Sequence, residues 1–121
     1  LFTDSNEGGN TNKGTNLYSG HVINFNKSNS QYLTNTGYSK IFKSDNIPFS
    51  SKDYFFNHKY HIEEGSLEKK NFISYFFSFN GKNKFLAMLF DSSINLLGFQ
   101  FHPEMSGKYT LREILYNLKI I

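Results

Sequence analysis

The sequence predicts an α/β protein that combines consecutive antiparallel strands with a terminal helix. Two aromatic and apolar runs, residues 72–79 and 84–90, flank the dipeptide Asn80-Gly81. This dipeptide is a strong hairpin signal because both residues tolerate the positive backbone angles of a tight turn. A second turn at residues 91–93 leads into a third apolar run at 96–101, so the three strands are expected to pair as an antiparallel meander.

The last part of the chain has the periodicity of a helix. The three-and-four spacing of apolar residues predicts one buried face, formed by Leu111, Ile114, Leu115 and Leu118. Thr110 and Glu113 would form a capping box at the start of this helix, unless the helix begins a turn earlier at Ser106. We expect a packing helix without chemistry of its own.

Earlier segments supply further strands and their connections. Residues 18–25 predict a turn and a strand, with His21 at the strand edge, and the aromatic residues of 53–62 predict one buried strand. Residues 46–49 predict a turn, and the charged residues 63–70 predict a solvated loop.

Residues 98–107 predict a functional site at the end of the third meander strand. They read GFQFHPEMSG, so that an imidazole and a carboxylate lie on either side of Pro103. Proline fixes its own backbone and favours an extended conformation in the residue before it. His102 and Glu104 could therefore act as a base and its orienting carboxylate, although a histidine bonded to a nearby carboxylate is also an ordinary structural pair.

Composition excludes several classes of function. The net charge is +3 in 121 residues and the lysines are dispersed, which argues against nucleic-acid binding. No stretch approaches the roughly 20 apolar residues that span a bilayer, and no signal peptide is visible, so we expect a cytoplasmic protein without membrane contact. The chain has no cysteine, which excludes disulfides, thiolate zinc sites and a cysteine nucleophile within these residues.

Residues 98–107 resemble the carboxyl-terminal active-site motif of class I glutamine amidotransferases, the family with a Cys-His-Glu triad. The likeness is greatest to the glutaminase subunit of imidazole glycerol phosphate synthase, where this strand reads G-x-Q-F-H-P-E-K-S-G and Met105 replaces the lysine. The resemblance implies that His102 activates the cysteine and then protonates the departing ammonia, while Glu104 orients the imidazole. It also implies a flavodoxin-like α/β fold with a mixed central sheet, and no cofactor.

Other segments extend the resemblance along the chain. Residues 54–60 resemble the family's Y-F-x-H-S-Y strand, which implies that His58, Lys59 and Tyr60 border the glutamine pocket. Lys59 replaces a small hydroxyl residue, so a backbone contact is expected there rather than a side-chain contact. Residues 36–39 occupy the place of the family's M-G-W-N, of which a glycine and an aromatic residue match, and residues 1–9 match an L-F pair followed by E-G-G.

A metal site formed by His58, His61 and His102 is an alternative function for the same histidines. In a regular strand, positions three apart point to opposite faces, so His58 and His61 would not converge. We therefore expect no metal, and we expect His61 to be a partly exposed strand residue.

On this interpretation, residues 1–121 are the carboxyl-terminal part of one amidotransferase domain, and the nucleophile-bearing amino-terminal part is absent. The missing cysteine would lie in a G-x-C-x-G turn shortly before Leu1. We expect these residues alone to be inactive and to fold poorly, because they would lack the elements that cover the other side of the sheet.

The resemblance also implies partners. The glutaminase would hydrolyse glutamine and pass ammonia to a synthase subunit, namely the (β/α)₈-barrel cyclase of histidine biosynthesis, in a heterodimer. One alternative is a related glutaminase that feeds a surface-polysaccharide sugar amidotransferase. Another is a non-catalytic binding subunit or degenerate remnant that lacks the nucleophile.

Overall fold

The structure is a computed structural model that describes residues 2, 4–5, 12–14, 17–24, 34–44, 46–62, 64–81 and 83–120. The expectations for residues 6–9, Phe25 and Lys82 lie outside these described residues. The strands in the described part are β1 (Asp4–Ser5), β2 (Asn12–Lys13), β3 (His21–Asn24), β4 (Asn35–Ser39), β5 (Phe42–Ser44), β6 (Ile47–Pro48), β7 (Tyr54–His58), β8 (Tyr60–Ile62), β9 (Ile73–Asn80), β10 (Asn83–Asp91) and β11 (Leu96–Phe99). Two 3₁₀ turns, Glu64–Ser66 and Pro103–Met105, and the helix α1 (Thr110–Asn117) complete the described elements.

The predicted meander is confirmed as part of a five-stranded antiparallel sheet with the order β11-β10-β9-β5-β6. The hairpin turn is displaced by one residue from its predicted place, because Asn80 pairs with Asn83 as the last rung of the ladder. The turn therefore begins at Gly81, whose φ of 60° is left-handed. This conformation is readily adopted by glycine, which has no Cβ to clash with the backbone.

β10 is the central strand of the hydrophobic core, and residues 85–89 are buried on both of its faces. Phe85, Ala87 and Met88 belong to one buried cluster, while Leu86 and Leu89 belong to a second. The register of β10 against β9 shifts between Leu86 and Met88, and this irregularity accounts for the presence of the consecutive residues Ala87 and Met88 in the same cluster. A continuous apolar run is the pattern of a strand covered on both faces.

The predicted single strand at 53–62 is two strands, and this expectation was wrong. β7 pairs with β4 in a two-stranded antiparallel sheet, whereas β8 pairs with β3 in a mixed four-stranded sheet of order β2-β1-β3-β8. The chain bends at Lys59, between the two ladders. The two halves of the aromatic run thus have different partners, which its composition could not indicate.

Three smaller expectations are also corrected or refined. His21 is the first residue of β3 and is exposed, and β3 itself lies between β1 and β8 in its sheet. Within the predicted turn 46–49, Ile47–Pro48 form the short strand β6, and the left-handed turn residue is Asn46 with φ 62°. The loop that follows β8 contains the 3₁₀ turn Glu64–Ser66.

The terminal helix is confirmed, but two of its predicted details are wrong. Its most deeply buried residues are Thr110 and Ile114, whereas Leu111 is 49% exposed. Thr110 and Glu113 do not form a capping box, because Tyr109 is the N-cap and the Thr110 hydroxyl donates to the Gly107 carbonyl at 3.0 Å. The helix does not start at Ser106 either, since residues 103–105 form a separate 3₁₀ turn.

The strands and the terminal helix agree with the predicted α/β class. In the described part of the chain, no helix has the length and apolar character needed to span a membrane.

Candidate active site

His102 and Glu104 lie at the turn that follows β11. After Phe99 the chain leaves the ladder, and the ring of Phe101 is buried in the larger core cluster, where it anchors the turn. His102 is extended, with φ −100° and ψ 99°, and Pro103–Met105 then form a 3₁₀ turn. This local geometry brings the Nδ1 atom of His102 to 3.0 Å from the Oε1 atom of Glu104.

The backbone of this turn is attached to β7. The His102 N–H donates to the carbonyl of Phe55 at 2.9 Å, and the N–H of Phe55 donates to Oγ of Ser106 at 2.9 Å. The Ser106 hydroxyl in turn donates to the carbonyl of His102 at 2.6 Å. The turn therefore occupies the edge of β7 that faces away from β4.

The electrostatics of the pair favour an ionised carboxylate. The backbone N–H of Glu104 itself and then the ring of His102 hydrogen-bond to the carboxylate and lower the pKa of Glu104. An ionised carboxylate only accepts hydrogen bonds, so Nδ1 of His102 carries the proton that it donates. The lone pair of the neutral imidazole is then on Nε2, and the side chain is 42% exposed and accessible to a reactant.

The structure places His58 on β7, the strand that holds the His102 turn. Nδ1 of His58 donates to the Tyr60 carbonyl at 2.8 Å, and Nε2 accepts from the Asn35 amide at 3.0 Å. These two contacts define a single neutral tautomer. Burial lowers the pKa of His58, the hydrogen bond to the Tyr60 carbonyl opposes this effect, and the electrostatic influence of His102 lowers the pKa further.

Lys59 and Tyr60 lie beyond the end of β7. Lys59 forms the bend between β7 and β8, and its ammonium group lies 5.9 Å from the ring centroid of Tyr60. Tyr60 begins β8 and pairs with Asn24 of β3. The three residues predicted to border the glutamine pocket thus span the junction of two sheets, and their binding role stays a prediction.

The expectation that His61 is partly exposed was wrong, since it is 7% exposed. The bend at Lys59 also changes the relation of the two histidines, because the rings of His58 and His61 both approach Phe85, with centroids at 5.0 and 6.3 Å. Burial, followed by the electrostatic influence of His58, lowers the pKa of His61 to about 4. Among the residues described by the structure, no three His, Cys, Asp or Glu side chains lie where they could hold a metal ion.

Sequence reasoning missed the side chains that support the turn. Ser106 was part of the motif, but its contact with Phe55 joins residues that are far apart in sequence, so no local pattern could reveal it. Tyr38, on β4, packs edge-on against Phe55 at 5.2 Å, and its hydroxyl donates to the backbone carbonyl of Met105 at 3.4 Å. Tyr38 is the aromatic residue that matches the family's M-G-W-N segment, and this match was the sequence feature that could have indicated its place near the turn.

The arrangement can perform general acid–base chemistry, with Nε2 of His102 as the reacting nitrogen and Glu104 as its orienting group. These 121 residues do not supply a thiol nucleophile, because none of them is cysteine. The hydroxyl of Ser106 is engaged with the His102 carbonyl and the Phe55 amide. The described side chains thus provide an imidazole and an orienting carboxylate, at 3.0 Å from each other.

Comparison with protein families identifies the class. The sequence matches the family model for glutamine amidotransferase class-I over residues 7–120. The match includes nearly the whole chain, and the chain belongs to the class I glutamine amidotransferases. A comparison with curated proteins found no match.

Proposed function

We propose that this chain supplies the His-Glu side of the active site of a glutaminase, which hydrolyses glutamine to glutamate and delivers ammonia to a synthase partner. The observation that carries the proposal is the 3.0 Å contact between His102 Nδ1 and Glu104 Oε1 in a chain of this family. Neighbouring groups support it, since the backbone of His102 is hydrogen-bonded to β7 and its ring is accessible.

The proposed reaction uses His102 first as a base and then as an acid. His102 Nε2 takes the proton of a cysteine thiol, and the thiolate attacks the glutamine amide carbon. The carbon–nitrogen bond then breaks, and His102 returns the proton to the leaving ammonia. Water, deprotonated by His102, hydrolyses the glutamyl thioester to glutamate and regenerates the thiol.

The cysteine must be provided by residues outside these 121, because none of them is cysteine. We propose that it lies in a G-x-C-x-G turn, and that residues 1–121 form the carboxyl-terminal part of one flavodoxin-like domain. Reading the complete coding sequence tests this point. A coding sequence that contains no G-x-C-x-G turn would instead support the remnant or binding-subunit alternative, which the lack of cysteine favours.

We propose that His58, Lys59 and Tyr60 border the glutamine. Lys59 lies between the β4–β7 and β3–β8 ladders, so its backbone groups belong to neither ladder. Backbone groups outside a ladder can bind the amide or carboxylate of a small substrate. The lowered pKa of His58 favours its neutral form, so its side chain would border the glutamine as an uncharged polar group.

For the partner, we propose the (β/α)₈-barrel cyclase of imidazole glycerol phosphate synthase, in a cytoplasmic heterodimer that serves histidine biosynthesis. Met105 and the segment at residues 36–39 depart from the pattern of that glutaminase, and these departures keep the related glutaminase of a sugar amidotransferase as the second candidate. Neither reaction requires a cofactor in the glutaminase.

The test uses the full-length protein, meaning these residues together with the proposed cysteine segment, and glutamine labelled with ¹⁵N in its amide. We expect glutamate and labelled ammonia, and stimulation of their release by the correct synthase. Label in imidazole glycerol phosphate would identify the cyclase, and label in an aminated sugar would identify the second partner. Absence of glutamate release with either partner would contradict the glutaminase proposal.

A further inference from the structure

We infer that Ser106 is a positioning residue that holds His102 and Glu104 in their paired geometry by attaching their turn to β7. The catalytic consequence of this inference rests on the proposed glutaminase function, but its structural consequence does not. Ser106 is not expected to touch glutamine or the reacting atoms.

The hydroxyl of Ser106 is one member of a closed set of three hydrogen bonds. It donates to the carbonyl of His102 at 2.6 Å and accepts from the N–H of Phe55 at 2.9 Å. The third bond joins the His102 N–H to the Phe55 carbonyl at 2.9 Å. A serine hydroxyl has one donor and two acceptor positions, so one small side chain satisfies both backbone groups.

Burial makes these bonds important. Ser106 is 6% exposed. Removal of its hydroxyl would leave the Phe55 N–H without this acceptor at a part-buried position, and a buried polar group without a partner is costly. The backbone must then shift to recover a hydrogen bond, and the displaced segment is the one that carries the catalytic pair.

The same hydroxyl also closes the turn that holds Glu104. The carbonyl of His102 accepts both the Ser106 hydroxyl and the N–H of Met105, the latter at 3.1 Å. The carbonyl of Pro103 accepts the N–H of Ser106 at 3.2 Å. Loosening of the 3₁₀ turn would therefore move the Glu104 carboxylate relative to the imidazole two residues before it.

The test compares Ser106→Ala and Ser106→Thr in the full-length protein, with Ser78→Ala as the matched control. Ser78 is fully buried and its hydroxyl donates to the carbonyl of Lys40 at 2.8 Å, so its truncation also removes one buried hydroxyl. Two quantities are measured in each variant: the steady-state kcat and KM for glutamine, and the pKa of Glu104 by NMR. His102→Asn provides the reference value for the pKa of Glu104 when no imidazole is hydrogen-bonded to its carboxylate.

We expect kcat of Ser106→Ala to fall about 100-fold, the usual cost of a small misplacement of reacting groups, with KM close to that of the unmodified protein. The pKa of Glu104 should rise towards its ordinary value, because the carboxylate loses the hydrogen bonds that lower it. Ser106→Thr keeps the hydroxyl and should retain both properties, as should Ser78→Ala.

A folded Ser106→Ala protein with unchanged kcat and unchanged Glu104 pKa would overturn the inference. If Ser106→Ala does not fold, the pKa of Glu104 in Ser106→Thr is the deciding measurement. A pKa as high as in His102→Asn overturns the inference, and a pKa as low as in the unmodified protein supports it. If the unmodified protein releases no glutamate while Glu104 still depends on Ser106, the glutaminase proposal fails and the positioning inference stands.

Discussion

At the scale of single residues, the pairing of His102 with Glu104 follows from the proline between them. Pro103 favours an extended His102 and starts a 3₁₀ turn, which brings the two side chains together. These effects are local, so the sequence was sufficient to predict the pair. The role of Ser106 depends on Phe55, and the burial of His61 depends on the bend at Lys59. Neither contact could be deduced without knowing which strands pair.

The buried His61 predicts a loss of stability in mild acid. Its folded-state pKa of about 4 lies below its ordinary value of 6.5, so the unfolded chain binds the proton more tightly. The stability contributed by neutral His61 is complete above about pH 6.5 and is lost as the pH falls towards 4, by about 3 kcal/mol. The lowered pKa of His58 acts in the same direction.

We expect His61→Leu to reduce this loss, because leucine fills the buried site without titrating. Urea unfolding of the full-length protein at pH 7 and pH 4.5 measures the effect, with His21→Leu as the control, since His21 is exposed. Equal pH dependence in His61→Leu and in the unmodified protein would contradict the assignment.

At the scale of elements, the helix α1 shows what periodicity can and cannot predict. Leu111 fits the apolar spacing but is exposed, while Thr110 is 1% exposed and occupies the buried face one turn before Ile114. Thr110 can be buried because its hydroxyl is satisfied by the Gly107 carbonyl. Hydrophobicity ranks leucine above threonine, so the pattern placed the wrong residue on the buried face.

The difference in burial predicts that two similar truncations in the helix change the free energy of unfolding by very different amounts. Ile114 is fully buried in the larger core cluster, so Ile114→Ala should lower the free energy of unfolding by about 2–5 kcal/mol. Leu111→Ala, at an exposed position of the same helix, should change it by less than about 0.5 kcal/mol. Denaturant unfolding of the full-length protein measures both. Comparable losses in the two variants would show that the buried face is assigned incorrectly.

Some strand pairings could be predicted from the sequence, and others could not. The hairpin β9–β10 and the return strand β11 were predictable because each turn lies between neighbouring apolar runs. The split of 53–62 into β7 and β8 was not, because β7 pairs with β4 and β8 with β3. These pairings depend on tertiary contacts, which strand composition does not encode.

At the scale of the whole molecule, β10 divides the described core into two clusters. Tyr18 belongs to the second cluster, and its hydroxyl donates to the carboxylate of Asp91 at 2.7 Å, which ties the early part of the chain to the end of β10. The turn that carries His102 and Glu104 lies beside the first cluster, to which Phe101 belongs.

The isolated 121 residues are predicted to release no glutamate from glutamine and to melt without a cooperative transition. Several large apolar side chains are exposed, among them Tyr38, Met105, Tyr109 and Tyr116. Where exposed apolar side chains form a contiguous patch, they mark a surface that contacts other chain segments or partners. Calorimetry of the isolated chain measures the transition, and a single cooperative endotherm would contradict the folding half of this prediction.

The central claim is that His102 is the acid and base of a glutaminase, and the most direct measurement is glutamate release by His102→Asn in the full-length protein. Base and acid functions are lost together in this variant, so turnover should fall by about 1,000-fold or more. His21→Asn, at an exposed histidine of β3, should retain normal turnover. Turnover of His102→Asn equal to that of the unmodified protein would contradict the account.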